Sequence, residues 1–317
     1  MLITAASPAA IPTQDARPMQ QLQCMEVWGG NQAVDNGVMM PGLDAWVVAR
    51  PHMGDASGGD IHYLSSCATG RITRLMVADV SGHGESASAT ATALRTLMRK
   101  FINHLDQRRA VGFLNQEFGR QEHSGRFATA ILGTFWGPTG TLTLCNAGHP
   151  RPIWYRARTK KWEILDPGVD LHEDDGPVDV PLGVLDATTY RQIEVRLKRG
   201  DLVLLYTDSL VEARLPDGKL LGEAGLLAAV NRVGIAEPSG IIAALLADFE
   251  RMGATINDDL TALLLRSNGI TPRLTLGERA RALVHVVRGL FAVTDRPGLP
   301  EFSHKATGGF VADRFNR

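Results

Sequence analysis

What most constrains the fold of this chain is a succession of short apolar runs, each bounded by Gly, Pro, Asp or Asn, from about Met25 to Arg266. Eight of them read as β-strands: 43–50, 72–79, 127–135, 141–145, 161–165, 190–197, 201–207 and 259–266. Many are rich in β-branched residues and closed by turn formers, as strands require. Several follow one another with room for a hairpin but not for a crossover helix, so antiparallel pairing is expected over strict β-α-β alternation. Between them, Ala87, Ala91, Leu94, Met98, Ile102 and Leu105 recur at spacings of three and four, which predicts one long amphipathic helix over 85–106. Further helices are expected at 223–232 and 238–252. The pattern describes an α+β protein, a central antiparallel β assembly with helices packed outside it.

The flanks differ from this middle. Residues 1–21 are rich in Ala, Pro, Gln and Thr without a period and read as a flexible lead, residues 22–267 as one folded domain. Residues 268–317 carry eight Lys/Arg against four Asp/Glu, with an amphipathic stretch from Glu278 to Val293 before a Pro/Gly-rich end. That stretch suits a helix docked on its own domain followed by a loose tail, with a role at a partner or membrane surface as the alternative. Charge is otherwise balanced, 33 basic against 34 acidic residues, which argues against nucleic-acid binding by global charge and against wholesale disorder. No apolar run approaches the roughly 20 residues of a membrane-spanning helix, and the first residues lack the basic start and apolar core of a signal peptide, so a cytoplasmic protein is expected. Cys24, Cys67 and Cys145 are odd in number and far apart, which suits neither a disulfide framework nor a cysteine zinc site.

Chemistry gathers at the strand ends. Gly58-Gly59-Asp60, Asp79-Val80-Ser81-Gly82-His83-Gly84, Asn146-Ala147-Gly148-His149-Pro150, Tyr206-Thr207-Asp208 and Asn257-Asp258-Asp259-Leu260-Thr261 each stand beside an apolar run. One such aspartate is ordinarily an Asx-turn or a helix cap. Several at separate strand ends can converge on one rim of a sheet, where their repulsion demands cations. Oxygen donors without Cys or a His pair favour Mg²⁺ or Mn²⁺ over Zn²⁺.

In this order the motifs resemble the metal-dependent PPM-type serine/threonine phosphatases, the protein phosphatase 2C superfamily, in its bacterial SpoIIE-type branch. The resemblance runs from about residue 41 to 266 through GGD (58–60), DVSGHG (79–84), NAGHP (146–150), PLGV (181–184), LVLLYTD (202–208) with Glu212 after it, and DDLT (258–261). It implies two antiparallel sheets face to face with helices on both outer faces. It also implies two Mn²⁺ or Mg²⁺ ions, with Asp79 bridging them, the Val80 carbonyl, Asp208 and Asp258 as further ligands, and Asp60 holding a metal through water. Asp259 would orient its neighbour. His83 would protonate the leaving oxygen or simply shape the glycine turn. The implied substrate is phosphoserine or phosphothreonine on a small anti-anti-sigma-like protein. The family usually has Gly where this chain has Ser209, and a requirement for positive φ there would carry a backbone cost. A catalytically degenerate phosphoprotein-binding regulator of the same fold is the alternative.

Two rival motifs compete. Gly82-His83-Gly84-Glu85-Ser86-Ala87 imitates a dinucleotide fingerprint between a strand and a helix. Cys145 to Arg151 satisfies C-x₂-G-x₂-R, the pattern of cysteine-dependent phosphatases, although Pro150 and Pro152 favour a hairpin over the helix that would activate the thiol.

Overall fold

The computed structural model describes residues 19–22, 26–67, 70–82, 84–101, 104, 106–122, 125–166, 176–235 and 237–270. In chain order its elements are β1 (Gln20–Gln21), β2 (Val27–Gly30), β3 (Val34–Met40), β4 (Leu43–Arg50), β5 (Asp60–Cys67), β6 (Ile72–Val80), α1 (Glu85–Phe101), α2 (Gln107–Gln121), β7 (Ala128–Trp136), β8 (Thr141–Ala147), β9 (Ile153–Arg156), β10 (Lys161–Ile164), β11 (Gln192–Arg196), β12 (Leu202–Tyr206), α3 (Gly222–Val233), α4 (Ile241–Met252) and β13 (Leu260–Ser267). The strands form a seven-stranded sheet, β1-β3-β4-β13-β12-β9-β10, and a six-stranded sheet, β11-β8-β7-β6-β5-β2. Every pairing of these strands is antiparallel except β1 with β3.

The two-residue period of a strand sorts its side chains between two cores. In β6, Leu75 and Val77 face the other sheet, where they meet Val47, Val203, Leu205, Leu263 and Leu265. Met76, Ala78 and Val80 face the opposite way, under Leu94 and Met98 of α1 and Leu114 and Phe118 of α2. The first sheet behaves alike: Trp46, Leu204, Tyr206 and Leu264 lie beneath Leu226 and Val230 of α3 and Leu245 and Phe249 of α4. Both faces of the central strands are therefore buried, which is why LVLLY and LTALLL read as continuous apolar runs. The packing order is helices, sheet, sheet, helices, the arrangement the resemblance implied.

All eight expected strands are present, with ends shifted by up to two residues. The helices expected at 223–232 and 238–252 appear as α3 and α4, the second preceded by a 3₁₀ turn at Pro238–Gly240. The helix expected over 85–106 is shorter: it spans Glu85–Phe101, and the described His104 and Asp106 are not helical, Asp106 being the cap of the next helix; Ile102 and Leu105 lie outside the described residues. A second helix, α2, follows it. Asp106 starts α2 by accepting the amides of Arg108 and Arg109, an N-cap that satisfies two otherwise orphaned donors. Its apolar positions, Ala110, Val111, Phe113, Leu114 and Phe118, are interrupted by Gly and Asn and flanked by Arg and Gln, so its period does not stand out in the sequence. Residues 1–18 and 271–317, and with them most of the expected lead and tail, lie outside the described residues.

Candidate active site

Strand parity sets the position of the acids. Asp79 shares the side of Leu75 and Val77, Asp60 that of Leu64, and Asp259 and Thr261 that of Leu263 and Leu265. All four side chains therefore point between the sheets, where the apolar core ends. Asp60 and Asp79 are direct partners across β5 and β6, and Thr129 is the partner of Asp79 on β7. Asp208 enters from the first sheet, in a 3₁₀ turn (Asp208–Leu210) that directly follows β12 and Thr207. Asp258 sits in the loop before β13, its carboxylate accepting the amide of Asp259 at 2.8 Å.

The GGD motif has a steric cause. A Cβ on Gly58 would lie 2.5 Å from the Asp259 carboxylate, and one on Gly59 would lie 2.9 Å from the Val80 carbonyl oxygen. The loop passes close to both only because those two residues lack side chains. Asp259 takes advantage of the approach, its two oxygens accepting the amides of His52 and Gly59 at 2.6 Å each. Its side chain thus holds the loop that carries Asp60 rather than its neighbour Asp258. Asn31 supports the same loop, donating to the Gly58 carbonyl at 3.0 Å and accepting the Gly58 amide on its own carbonyl at 2.8 Å.

Two further family motifs support the start of β7 beside Asp79. Ala128 and Leu182 exchange both backbone hydrogen bonds, at 3.0 and 2.8 Å, and Asn115 of α2 accepts the Gly183 amide while donating to the Leu185 carbonyl, both at 2.8 Å. In NAGHP, Asn146 closes the turn by accepting the His149 amide at 2.7 Å and donating to the His149 carbonyl at 2.8 Å. The His149 ring is then buried with Nδ1 2.9 Å from Thr129 Oγ1.

The electrostatics of this edge are those of a charge cluster in want of a cation. Burial pushes the Asp79 carboxyl up to about 7, and Asp208, Asp258, Asp259 and Glu212 push it the same way. Asp208 is raised to about 6 by burial, Glu212 and Asp258, with the Ser209 amide partly offsetting them. Asp60 lies well above the usual carboxylate range through burial and Asp79, partly opposed by the Thr207 hydroxyl. Among the described residues no three His, Cys, Asp or Glu side chains already form a metal cage. The donor set, carboxylates and one backbone carbonyl, suits a hard divalent cation.

Asp60, Asp79, Val80, Asp208 and Asp258 thus meet at one edge, and His83 lies outside the described residues. Sequence reasoning passed over Thr207 and Thr261, whose parity with the inward-facing leucines was the available signal. The condition for a backbone cost at Ser209 is not met: it lies in the 3₁₀ turn, and Met53, Lys160 and Asp179 are the non-glycine residues of positive φ among those described. Cys145 is a buried strand residue whose thiol burial pushes up to about 12, not a thiolate at a helix N-terminus. Strand β6 is antiparallel to both neighbours, which removes the parallel β-α-β unit a dinucleotide fingerprint needs.

A two-sheet α+β sandwich with carboxylates gathered at one end of its inter-sheet space is the class of protein these observations define. A family model described as stage II sporulation protein E (SpoIIE) matches residues 69–268. The structure is similar to the RsbU and RsbW domains of Rv1364c from Mycobacterium tuberculosis, with 24% identity, 90% of this chain and 78% of that one covered, and a TM-score of 0.58. It is similar also to the PP2C phosphatase domain with a fragment of the regulatory domain of SpoIIE from Bacillus subtilis, at 15% identity over 77% of this chain and 64% of that one, TM-score 0.57. RsbX in complex with magnesium is a third such structure, at 16% identity over 74% and 99% of the two chains, TM-score 0.53. The chain belongs to the SpoIIE family and is a PP2C-type protein phosphatase.

Proposed function

We propose that this phosphatase hydrolyses phosphoserine or phosphothreonine on a small regulatory protein of the anti-anti-sigma kind, using two Mn²⁺ or Mg²⁺ ions. The observation that carries the reading is the convergence of Asp60 and Asp79 from one sheet with Asp208 and Asp258 from the other. Asp60, Asp79, Asp208 and Asp258 with the Val80 carbonyl would hold the ions. When bound, a divalent pair supplies an activated water as nucleophile at neutral pH and offsets charge on the phosphoryl oxygens. No protein nucleophile is required, which agrees with the inert Cys145. The protein's own work is to hold five oxygen donors on strand ends and on the turn and loop beside them, and to keep one side of the site dry with the core behind it. His83, between Gly82 and Gly84, is the candidate donor of a proton to the leaving oxygen.

The magnesium complex of the similar RsbX supports divalent-metal dependence. The degenerate-regulator alternative draws on Ser209 and is weakened by its relaxed backbone. Residues 22–267 would form the catalytic unit, with the basic segment from 268 serving stability or targeting. Among the described residues no helix is long and apolar enough to cross a membrane; a cytoplasmic location is part of the proposal. The test is turnover of an aryl phosphate and of a phosphoserine protein with and without Mn²⁺. Full activity in excess EDTA would reject the metal mechanism, and tight metal binding without turnover would favour the regulator.

A further inference from the structure

A hydroxyl, as well as the Asp259 carboxylate, links the two sheets at the acidic edge. Thr207 directly follows β12, in extended conformation, and is wholly buried. Its backbone amide donates to the Thr261 carbonyl at 3.0 Å, and its Oγ1 accepts the Thr261 amide at 2.9 Å, so the residue is bound twice to β13. The same Oγ1 donates to Asp60 Oδ2 at 2.8 Å, across to the other sheet. A hydroxyl has a single proton to give. The other acceptors near it, Ser209 Oγ and the Thr261 carbonyl, stand at 3.4 Å, too far to compete well. The proton is therefore committed to Asp60.

We propose that Thr207 is a positioning residue that fixes the carboxylate rotamer of Asp60 and thereby the separation between the donors of the two sheets, Asp60 on one and Asp208, the next residue after Thr207, on the other. Left to itself, Asp60 would turn away from Asp79, its partner across the strand pair and a like charge. The hydrogen bond opposes that turn on Oδ2, and the Thr261 hydroxyl acts on the same carboxyl in the same sense. Threonine suits this position because a β-branched side chain is stiff at χ1 and a neutral hydroxyl adds no charge to a crowded acidic edge. The proposal rests on the metal-dependent reading above and names what holds one of its donors.

The test uses the full chain as wild type, Thr207→Val and Thr207→Ser, and measures the dissociation constant for Mn²⁺ alone by isothermal titration calorimetry, with the melting temperature in EDTA. Thr207→Val keeps the shape but loses the donor, and is expected to weaken Mn²⁺ binding at least tenfold, about 1.4 kcal/mol. Thr207→Ser retains the hydroxyl and should stay within threefold of wild type. A purely structural role would lower the melting temperature of Thr207→Val while leaving the Mn²⁺ affinity of the folded protein unchanged, and that result overturns the proposal. Should Thr207→Val fail to fold, Thr207→Ala is judged by the same tenfold criterion, since it leaves room for a water to serve the Thr261 amide. A wild-type chain that binds no Mn²⁺ would overturn the metal reading and the role of Thr207 with it; wild-type binding unchanged in the variant overturns the role alone.

Discussion

Asp259 Oδ2 accepts the amide of Gly59 at 2.6 Å, a bond between residues 200 positions apart that ties the end of one sheet to the end of the other. Its second oxygen accepts His52 at the same distance. Hydrogen bonds to a carboxylate contribute roughly 1.5–3 kcal/mol each, and leaving a buried donor unpaired costs a similar amount. Asp259→Asn places an NH₂ group against one of the two amides, so it is expected to lose about 2 kcal/mol in urea denaturation and to weaken Mn²⁺ binding by about tenfold. Wild-type stability in this variant would show that the loop is held by other means.

Asp79→Asn separates stability from activity. Activity should fall at least about 10²-fold, because the bridging position would lose its charge. Stability without metal should move the other way. The folded-state carboxyl is raised to about 7, so at pH 8 it is ionised against burial and four acidic neighbours, and this opposes folding. Removing that charge should stabilise the metal-free protein at pH 8 by on the order of 1–3 kcal/mol, with the gain fading as pH falls below 7 and the wild-type group takes up its proton. Thermal scans in EDTA at pH 8 and pH 5 measure it; a variant less stable than wild type at pH 8 contradicts the electrostatic account.

His149 gives the fold an acid limit. Burial lowers its pKa to about 3, against a value near 6.5 in the unfolded chain. Between those values the unfolded state binds more protons, so stability rises with pH across that window and is lost as pH falls from about 6.5 toward 3. His149→Gln should flatten the dependence of melting temperature on pH between 4 and 6.5, whatever it does to the absolute value. Parallel curves for wild type and variant would count against this assignment.

The segment beyond β13 should be dispensable for chemistry, but the cut matters. Asn268 donates to the Met40 carbonyl at 3.1 Å and to Asp44 Oδ1 at 2.8 Å, while Arg266 binds the other Asp44 oxygen. Asp44 is buried. A chain ending at residue 270 is expected to keep small-phosphoester turnover. One ending at Ser267 should melt several degrees lower, because one oxygen of a buried carboxylate loses its partner. Equal melting temperatures for the two would remove Asn268 from the stability account.

The acids are legible in the sequence because each stands beside an apolar strand, and a strand end is where a sheet exposes a rim. The strands themselves are legible only where their side chains are apolar. β5 escapes sequence reading because DIHYLSSC places His62, Ser65 and Ser66 in buried positions, so its polarity imitates a surface segment. β3 escapes it because Asn36-Gly37 reads as a turn, whereas Gly37 is there to clear the Trp46 ring, which a Cβ would approach to 2.7 Å.

Composition and spacing by themselves determined the class of fold, the apolar face of α1, the presence of α3 and α4, and the small group of candidate aspartates, since these depend on local period and on residue chemistry. The tertiary structure alone decided which groups act on one another. Asp259 reaches Gly59, Thr207 reaches Asp60, and Asp79 is raised by Asp208 because two sheets end at the same edge. Contacts between residues more than a hundred positions apart are set by packing, which no local pattern records. Ser209 makes the same point from the other side: its departure from the usual glycine is innocuous because its backbone follows a 3₁₀ turn, a conformation open to any residue.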